Sequence, residues 1–270
     1  MKITEETRKA LEENTLSNFD VYTKLVDSVR SSVAMLDRTE EYMLKNNHSI
    51  PDSNYYLRRI SEYTILLGLV WLDITAGFRI YLNAKENYET IYSTKQLLIT
   101  INEGFKQIYN YVSIDSNGNL KTKPRNHSFW VKDIGTIVND KLAHLVDEYL
   151  EITTELDLYD DDELKNMRGP RNLFVHYDIE ASKVYDELIN LDIEKMAIKM
   201  MPFMKILSRM VLFGRKVLEE YNSYIKKNSD DFYDTEHQKI ESLKVEHGNS
   251  PQLLELFNQI QADLMKFKNS

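Results

Sequence analysis

Three residues in this chain have the types and spacing to do chemistry together: Arg171, Asn172 and His176, in the run Arg171-Asn172-Leu173-Phe174-Val175-His176. A histidine titrates near neutrality, so it can take or give a proton at working pH. A guanidinium offers a planar fork of donors that matches phosphate geometry. On a helix Asn172 and His176, four apart, share a face, while Arg171 and His176, five apart, are separated by about 140°. Pro170 is tolerated in a first helical turn, which places Arg171 near a helix N-terminus, where an anion is favoured. Arg168 and Lys165 add positive charge just upstream and make a small basic island. The same residue types also fit a structural arrangement: Arg171 paired with Asp161 or Asp162, Asn172 as a cap, and His176 as a hydrogen-bonded core histidine.

Other candidates carry less. Asp73 and Arg79 are charged where the surrounding apolar pattern wants nonpolar side chains, and read as a structural pair or as bundle-edge positions, with a polar cluster facing the motif as the functional alternative. Asp140 stands four residues before His144, a faint carboxylate–histidine pair, and His144 has no metal-ligand spacing to another histidine. His48, His127, His237 and His247 fall in polar segments and are expected to be solvated. Arg125-Asn126-His127 repeats the Arg-Asn pair with no helix start behind it. The aromatic content is high, with 17 Tyr and 10 Phe, but Tyr55-Tyr56, Tyr88, Tyr92, Tyr109 and Tyr111 fall at helical spacings, which core and interhelix packing explain better than base stacking. Gly-rich phosphate loops, dinucleotide fingerprints and a serine nucleophile elbow are missing from the sequence.

Helices must position these residues. Val21, Leu25, Val29, Val33 and Leu36 recur at three- and four-residue steps and predict a helix over about 17–46, preceded by a helical turn or two near 4–14. A second helix is expected over about 54–84, apolar on more than one face and capped by Asp52 or Ser53. A third covers about 88–112. The Asn117-Gly118 turn predicts a loop with a short hairpin near 115–123. A fourth helix follows over about 129–156. The acidic run Asp160-Asp161-Asp162-Glu163 is expected to charge the N-terminus of a short helix reaching Met167. A long helix over about 193–226 contains Pro202, where a kink is expected. The polar stretch 229–250 reads as a mobile linker, and 251–270 as a C-terminal amphipathic helix. The domain plan is therefore one bundle over 1–228, with the motif region at 160–228, then linker and last helix.

Composition bounds the class. Gly (8) and Pro (5) are scarce, which suits long helices and not turn-dense β architecture, so the expected fold is all-α, a bundle of long up-and-down helices. There are no cysteines, which removes disulfides, thiolate metal sites and cysteine nucleophiles. The net charge is −9, and residues 1–135 balance 17 basic against 17 acidic side chains, so the acid excess lies in the second half. That argues against coating nucleic acid through a global positive field, though not against a local basic cleft. The most apolar stretch, Ile65 to Leu82, is interrupted by Asp73 and Arg79 and reads as a buried core helix, with no membrane span expected. Met1-Lys2-Ile3-Thr4-Glu5-Glu6 lacks the apolar run of a signal peptide, and a cytoplasmic location is expected.

The run from Arg171 to His176, with its helical start and the long helices around it, resembles the Arg-polar-x3-His motif of the HEPN superfamily of helical-bundle proteins, which includes many metal-independent ribonucleases. The motif-bearing part of the resemblance covers about 161–221, and the preceding residues match only as helices of suitable length. The resemblance implies RNA cleavage without a cofactor or metal: the 2′-OH attacks the adjacent phosphorus and the 5′-oxygen leaves. Within it, His176 would be the acid or base, Arg171 the cation opposite the phosphorane, and Asn172 the orienting group. Arg168, Lys165 and Tyr177 would contact substrate. The resemblance also implies a homodimer in which two motifs meet, and, by family association, a defence or toxin-type setting with a cognate antitoxin or regulator. The rival expectation is a non-catalytic helical module that binds a nucleotide or a protein.

Overall fold

The computed structural model describes residues 4–15, 19–110, 125–167, 182, 185–186, 190, 192–246 and 250–268. Among them every regular element is helical and no strand occurs, as the scarcity of Gly and Pro predicts. The expected hairpin at 115–123 lies outside the described residues. Two compact units divide the chain at residue 218/219, and one long helix contributes to both.

The first unit is organised around α3 (Asp52–Asn83), flanked by α2 (Phe19–Lys45) and α4 (Asn87–Ile108). α3 is long and apolar enough to cross a membrane by length and composition, and 56% of its most apolar window is buried inside the protein. Its residues Leu67, Trp71, Ile74 and Phe78 are almost wholly buried, and the Trp71 ring stacks on Tyr22 of α2 at 3.9 Å between centroids. Two glycines let these helices approach closely. A Cβ at Gly68 would meet Val26 of α2, and one at Gly104 of α4 would lie 2.5 Å from Val70 Cγ1 of α3. Valine is stiff at χ1, so neither neighbour can swing aside cheaply. The short α1 (Glu5–Thr15) seats Leu11 in the core, and Arg8 donates to the Leu82 carbonyl at 3.2 Å.

Several boundaries differ from expectation for local reasons. Neither Asp52 nor Ser53 caps α3, because the helix begins one residue earlier than a cap there allows. Pro51 holds the extended N-cap conformation, and Asp52 becomes a first-turn acid facing the helix dipole. α4 instead has a capping box, in which Glu89 accepts from the backbone N–H of Lys85 and Glu86. The single helix expected over 129–156 is broken into a π-helical turn Phe129–Gly135, then α5 (Thr136–Lys141), a 3-10 turn Ala143–Leu145 and α6 (Val146–Tyr159). Leu142, with φ −131° and ψ 51°, leaves helical space between α5 and the 3-10 turn. Its side chain is buried, as are Ile137, Val138 and Leu145, so the break is compensated by burial.

α7 (Ile193–Glu246) passes through Pro202 without ending. Proline removes the hydrogen bond to the carbonyl four residues back, that of Ile198. Ile198 is half exposed, so that carbonyl can turn to water. The polar stretch expected to be a mobile linker is helical as far as Glu246. In the second unit, α7 from Glu219 and α8 (Pro251–Lys268) form a helical hairpin tied by Gln261, whose side-chain amide donates to Glu241 at 3.0 Å and lies 2.6 Å from His237 Nε2. His237 is therefore partnered and half-buried, not simply solvated as its polar neighbourhood suggested.

Candidate functional site

Of the six residues singled out for chemistry, Lys165 alone is described, and it is exposed in the helical turn that follows Leu164. Arg168, Arg171, Asn172, His176 and Tyr177 lie outside the described residues, as does His247. Among the described residues, the chain on either side of the motif defines its frame.

Upstream, α6 does not stop at the acidic run. It continues as a π-helical turn, Asp160–Leu164, so the run extends a helix C-terminus where the sequence suggested a new N-terminus. A carboxylate there opposes the helix dipole and needs a cation. Arg125 supplies it, bonding Asp160 at 2.6 Å and also pairing with Asp157. The same guanidinium lies over the Tyr109 ring at 4.7 Å, while the Tyr109 hydroxyl donates to Asp157 at 2.7 Å. Burial pushes the Tyr109 hydroxyl above its ordinary pKa, and the Arg125 charge pulls the other way. This four-residue cluster ties the end of α4, through Tyr109, and Arg125 to Asp157 and Asp160 of the α6 segment. Arg125 was visible in the sequence only as part of an Arg-Asn-His run, and its role is structural.

The segment leading to the motif is then fixed from below. Leu164 and Met167 are fully buried, and Glu163 pairs with Lys199 of α7 at 3.2 Å. Tyr159, stacked on Phe203 of α7 at 5.4 Å, is fully buried too, and burial raises its hydroxyl well above the usual value, helped by the Glu163 charge. Entry to the motif (Met167) and exit from it (Met196, Met200) are thus both anchored in one apolar core.

A second polar cluster lies between α3 and the π-helical turn. Arg59 makes a two-pronged bond to the buried Asp133 carboxylate, at 3.0 and 2.6 Å, and stacks over Phe129 at 4.3 Å. Every prong of the fork facing Asp133 is occupied, which makes this a clamp between elements. Sequence reading missed it because the partners are 74 residues apart. Asp73 and Arg79 are both exposed on α3, the bundle-edge alternative, and Arg79 lies over the Phe19 ring at 5.0 Å. His144 and Asp140 are exposed.

A shallow groove of about 490 Å³ opens where α3 turns into α4, lined by Ile80, Asn83, Glu86, Tyr88 and Tyr92. Both of its carboxylates belong to the α4 cap: that of Glu86 accepts from the Glu89 backbone N–H, and backbone bonds hold that of Glu89 below the usual carboxylate pKa. Among the described residues no three His, Asp or Glu side chains converge as metal ligands would. Comparison with protein-family models, with curated proteins and with solved structures returned no match.

Proposed function

We propose that this chain is a HEPN-type, metal-independent endoribonuclease that acts as a homodimer. One observation carries the reading: Arg171 and Asn172 stand at fixed spacing before His176, in a chain whose described residues are all helical or in short connections. In this reading His176 supplies an imidazole for proton transfer, Arg171 a fork for the phosphorane charge, and Asn172, four residues before the histidine, the orienting group. Lys165 and Arg168 add charge for the RNA backbone, and Tyr177 a ring beside it. The site would be completed when the segment 171–177 of two copies meets. A defence or toxin-type role, with a cognate antitoxin or regulator, belongs to the same reading.

The test is cleavage of single-stranded RNA by purified protein in EDTA. Products should end in 2′,3′-cyclic phosphate, and DNA should be spared because it lacks the 2′-OH. His176→Ala should lower the rate by about 100- to 10,000-fold through lost proton transfer. Arg171→Ala should cost about 3–4 kcal/mol of transition-state stabilisation, and Asn172→Ala less. Equal cleavage by wild type and His176→Ala would reject the enzyme.

A specific observation favours a second reading, a non-catalytic module. Four described cations on the helices that frame the motif are paired with acids: Arg125 with Asp157 and Asp160, Lys199 with Glu163, Arg209 with Glu151 and Glu155, and Lys216 with Glu148. Such pairing leaves little net positive field for a long RNA. Binding of a mononucleotide without RNA cleavage is the result this reading expects.

A further inference from the structure

The polar groups at the groove where α3 turns into α4 are mostly acceptors. Three backbone N–H groups at the start of α4, of the kind an anion would seek, are taken by the helix's own glutamates. Glu89 accepts from Lys85 and Glu86 at 2.6 and 3.2 Å, and the Glu86 side chain accepts from the Glu89 backbone. A carboxylate has about four lone-pair positions, so the cap leaves acceptor capacity on both side chains. Asn83 donates its side-chain amide to the Arg79 carbonyl at 2.8 Å, which leaves its oxygen as a third acceptor. The negative end of the α3 dipole lies here too, with no basic residue in the last turn of that helix. The nearby guanidiniums are engaged elsewhere, Arg79 over Phe19 of α2 and Arg8 on the Leu82 carbonyl. Around the acceptors, Tyr88, Tyr92 and Ile80 are 67%, 52% and 48% exposed. Tyr88 and Tyr92, four residues apart on α4, are neighbours on its surface. Among the described residues neither ring has a hydrogen-bond or stacking partner, unlike the rings of the core.

We propose that this groove binds a primary alkylammonium group, carried by a free amine or by a lysine side chain. An ammonium brings three N–H donors and no acceptor, the complement of such a lining. Its charge is attracted by the two carboxylates, by the end of α3 and by the faces of the tyrosine rings. Its aliphatic arm lies on Ile80 and the rings, as lysine stems lie on apolar surface. The groove, about 490 Å³, has room for the arm as well as the head. An anion would meet two carboxylates here, and a hydrocarbon would desolvate the acceptors without pairing them. Lys85 is the local competitor, since its charge already helps hold Glu89 below the usual carboxylate range.

The proposal is independent of the ribonuclease reading and of the segment 171–177. The probes are n-butylammonium and a blocked Gly-Lys-Gly peptide, titrated into the full chain at low salt and followed by amide NMR shifts. Saturable binding with a Kd of about 1 mM, and shifts centred on residues 80–92, is the expected result. n-Butanol, the same arm without the charge, should bind at least about 10-fold more weakly. The double variant Glu86→Gln with Glu89→Gln keeps side-chain acceptors for the cap and removes both charges. It should lose about 10-fold or more in affinity for the amine, with helical content unchanged. Lys85→Ala, at an exposed position, should bind the amine about two- to five-fold more tightly, because the competing cation is gone. Tighter binding of the peptide than of the free amine assigns the ammonium to a protein partner, and weaker binding assigns it to a small molecule. No saturable shift with either probe, butanol binding as well as the amine, an unaffected double variant, or weaker binding by Lys85→Ala overturns the proposal.

Discussion

The helices around α3 and the hairpin of α7 and α8 have similar amphipathic sequences and very different burial. Before residue 219, Trp71, Trp130, Tyr63, Phe78, Phe105, Phe203 and Phe213 each keep under 2% of their surface exposed. After it, Tyr221 and Ile240 are the buried hydrophobic residues among those described, while Phe232, Val245 and Leu256 remain exposed. The difference lies in the number of neighbours. α3 has a helix on each side and a long helix behind it, so an all-round apolar surface is satisfied. A two-helix hairpin satisfies one face of each helix and leaves the next stripe over.

Four substitutions sharpen that contrast, and the fluorescence of the two tryptophans, both before residue 219, reports the first region in urea unfolding. Trp71→Ala should have the largest effect, about 3–5 kcal/mol, because it empties the contact with Tyr22 and orphans the Ser208 partner, 3.2 Å from the indole nitrogen. Trp130 remains as the reporter, and a loss under about 1 kcal/mol would mean that this core relaxes freely. Arg59→Ala should cost about 2–3 kcal/mol by leaving the Asp133 carboxylate, 6% exposed, without its two charged donors. A change small enough to vanish in the fit would show water replacing the guanidinium.

Gly104→Ala should cost about 1–2 kcal/mol, since the added methyl meets a stiff valine. An unchanged midpoint would show that α3 and α4 can separate by a few tenths of an ångström. Val245→Ala, at 85% exposure in the hairpin, should move stability by no more than about 0.5 kcal/mol in either direction. A large loss there, read by circular dichroism, would remove the contrast between the two regions.

Helix existence was legible wherever one stripe repeated. Val26 and Val29 are buried on α2, and α2, α3 and α4 begin and end within a few residues of the periodic segments. The break at Leu142 was not legible, because the hydrophobic pattern of 129–156 is the same whether the chain is straight or folded back at an apolar residue. The helical 229–246 was missed for the opposite reason: polarity marks solvent contact, and an exposed helix is as polar as a linker. As for the chemistry, the sequence gives the residue types and spacing of Arg171, Asn172 and His176, and Lys165 is the one described residue of the predicted set.

By itself the sequence determined that this is a helical, cysteine-free protein with an acidic second half and one compact run, Arg171 to His176, on which the proposed function rests. Those are matters of composition and of periodicity along a few turns, where the relevant forces act between neighbours in the chain. The tertiary structure alone decided which charges are spent. Arg125 closes onto Asp157 and Asp160, and Arg59 onto Asp133, across 35 and 74 residues for the Asp160 and Asp133 bonds. No local pattern encodes such a pairing, because it arises only when packed helices bring a desolvated carboxylate within reach of a guanidinium.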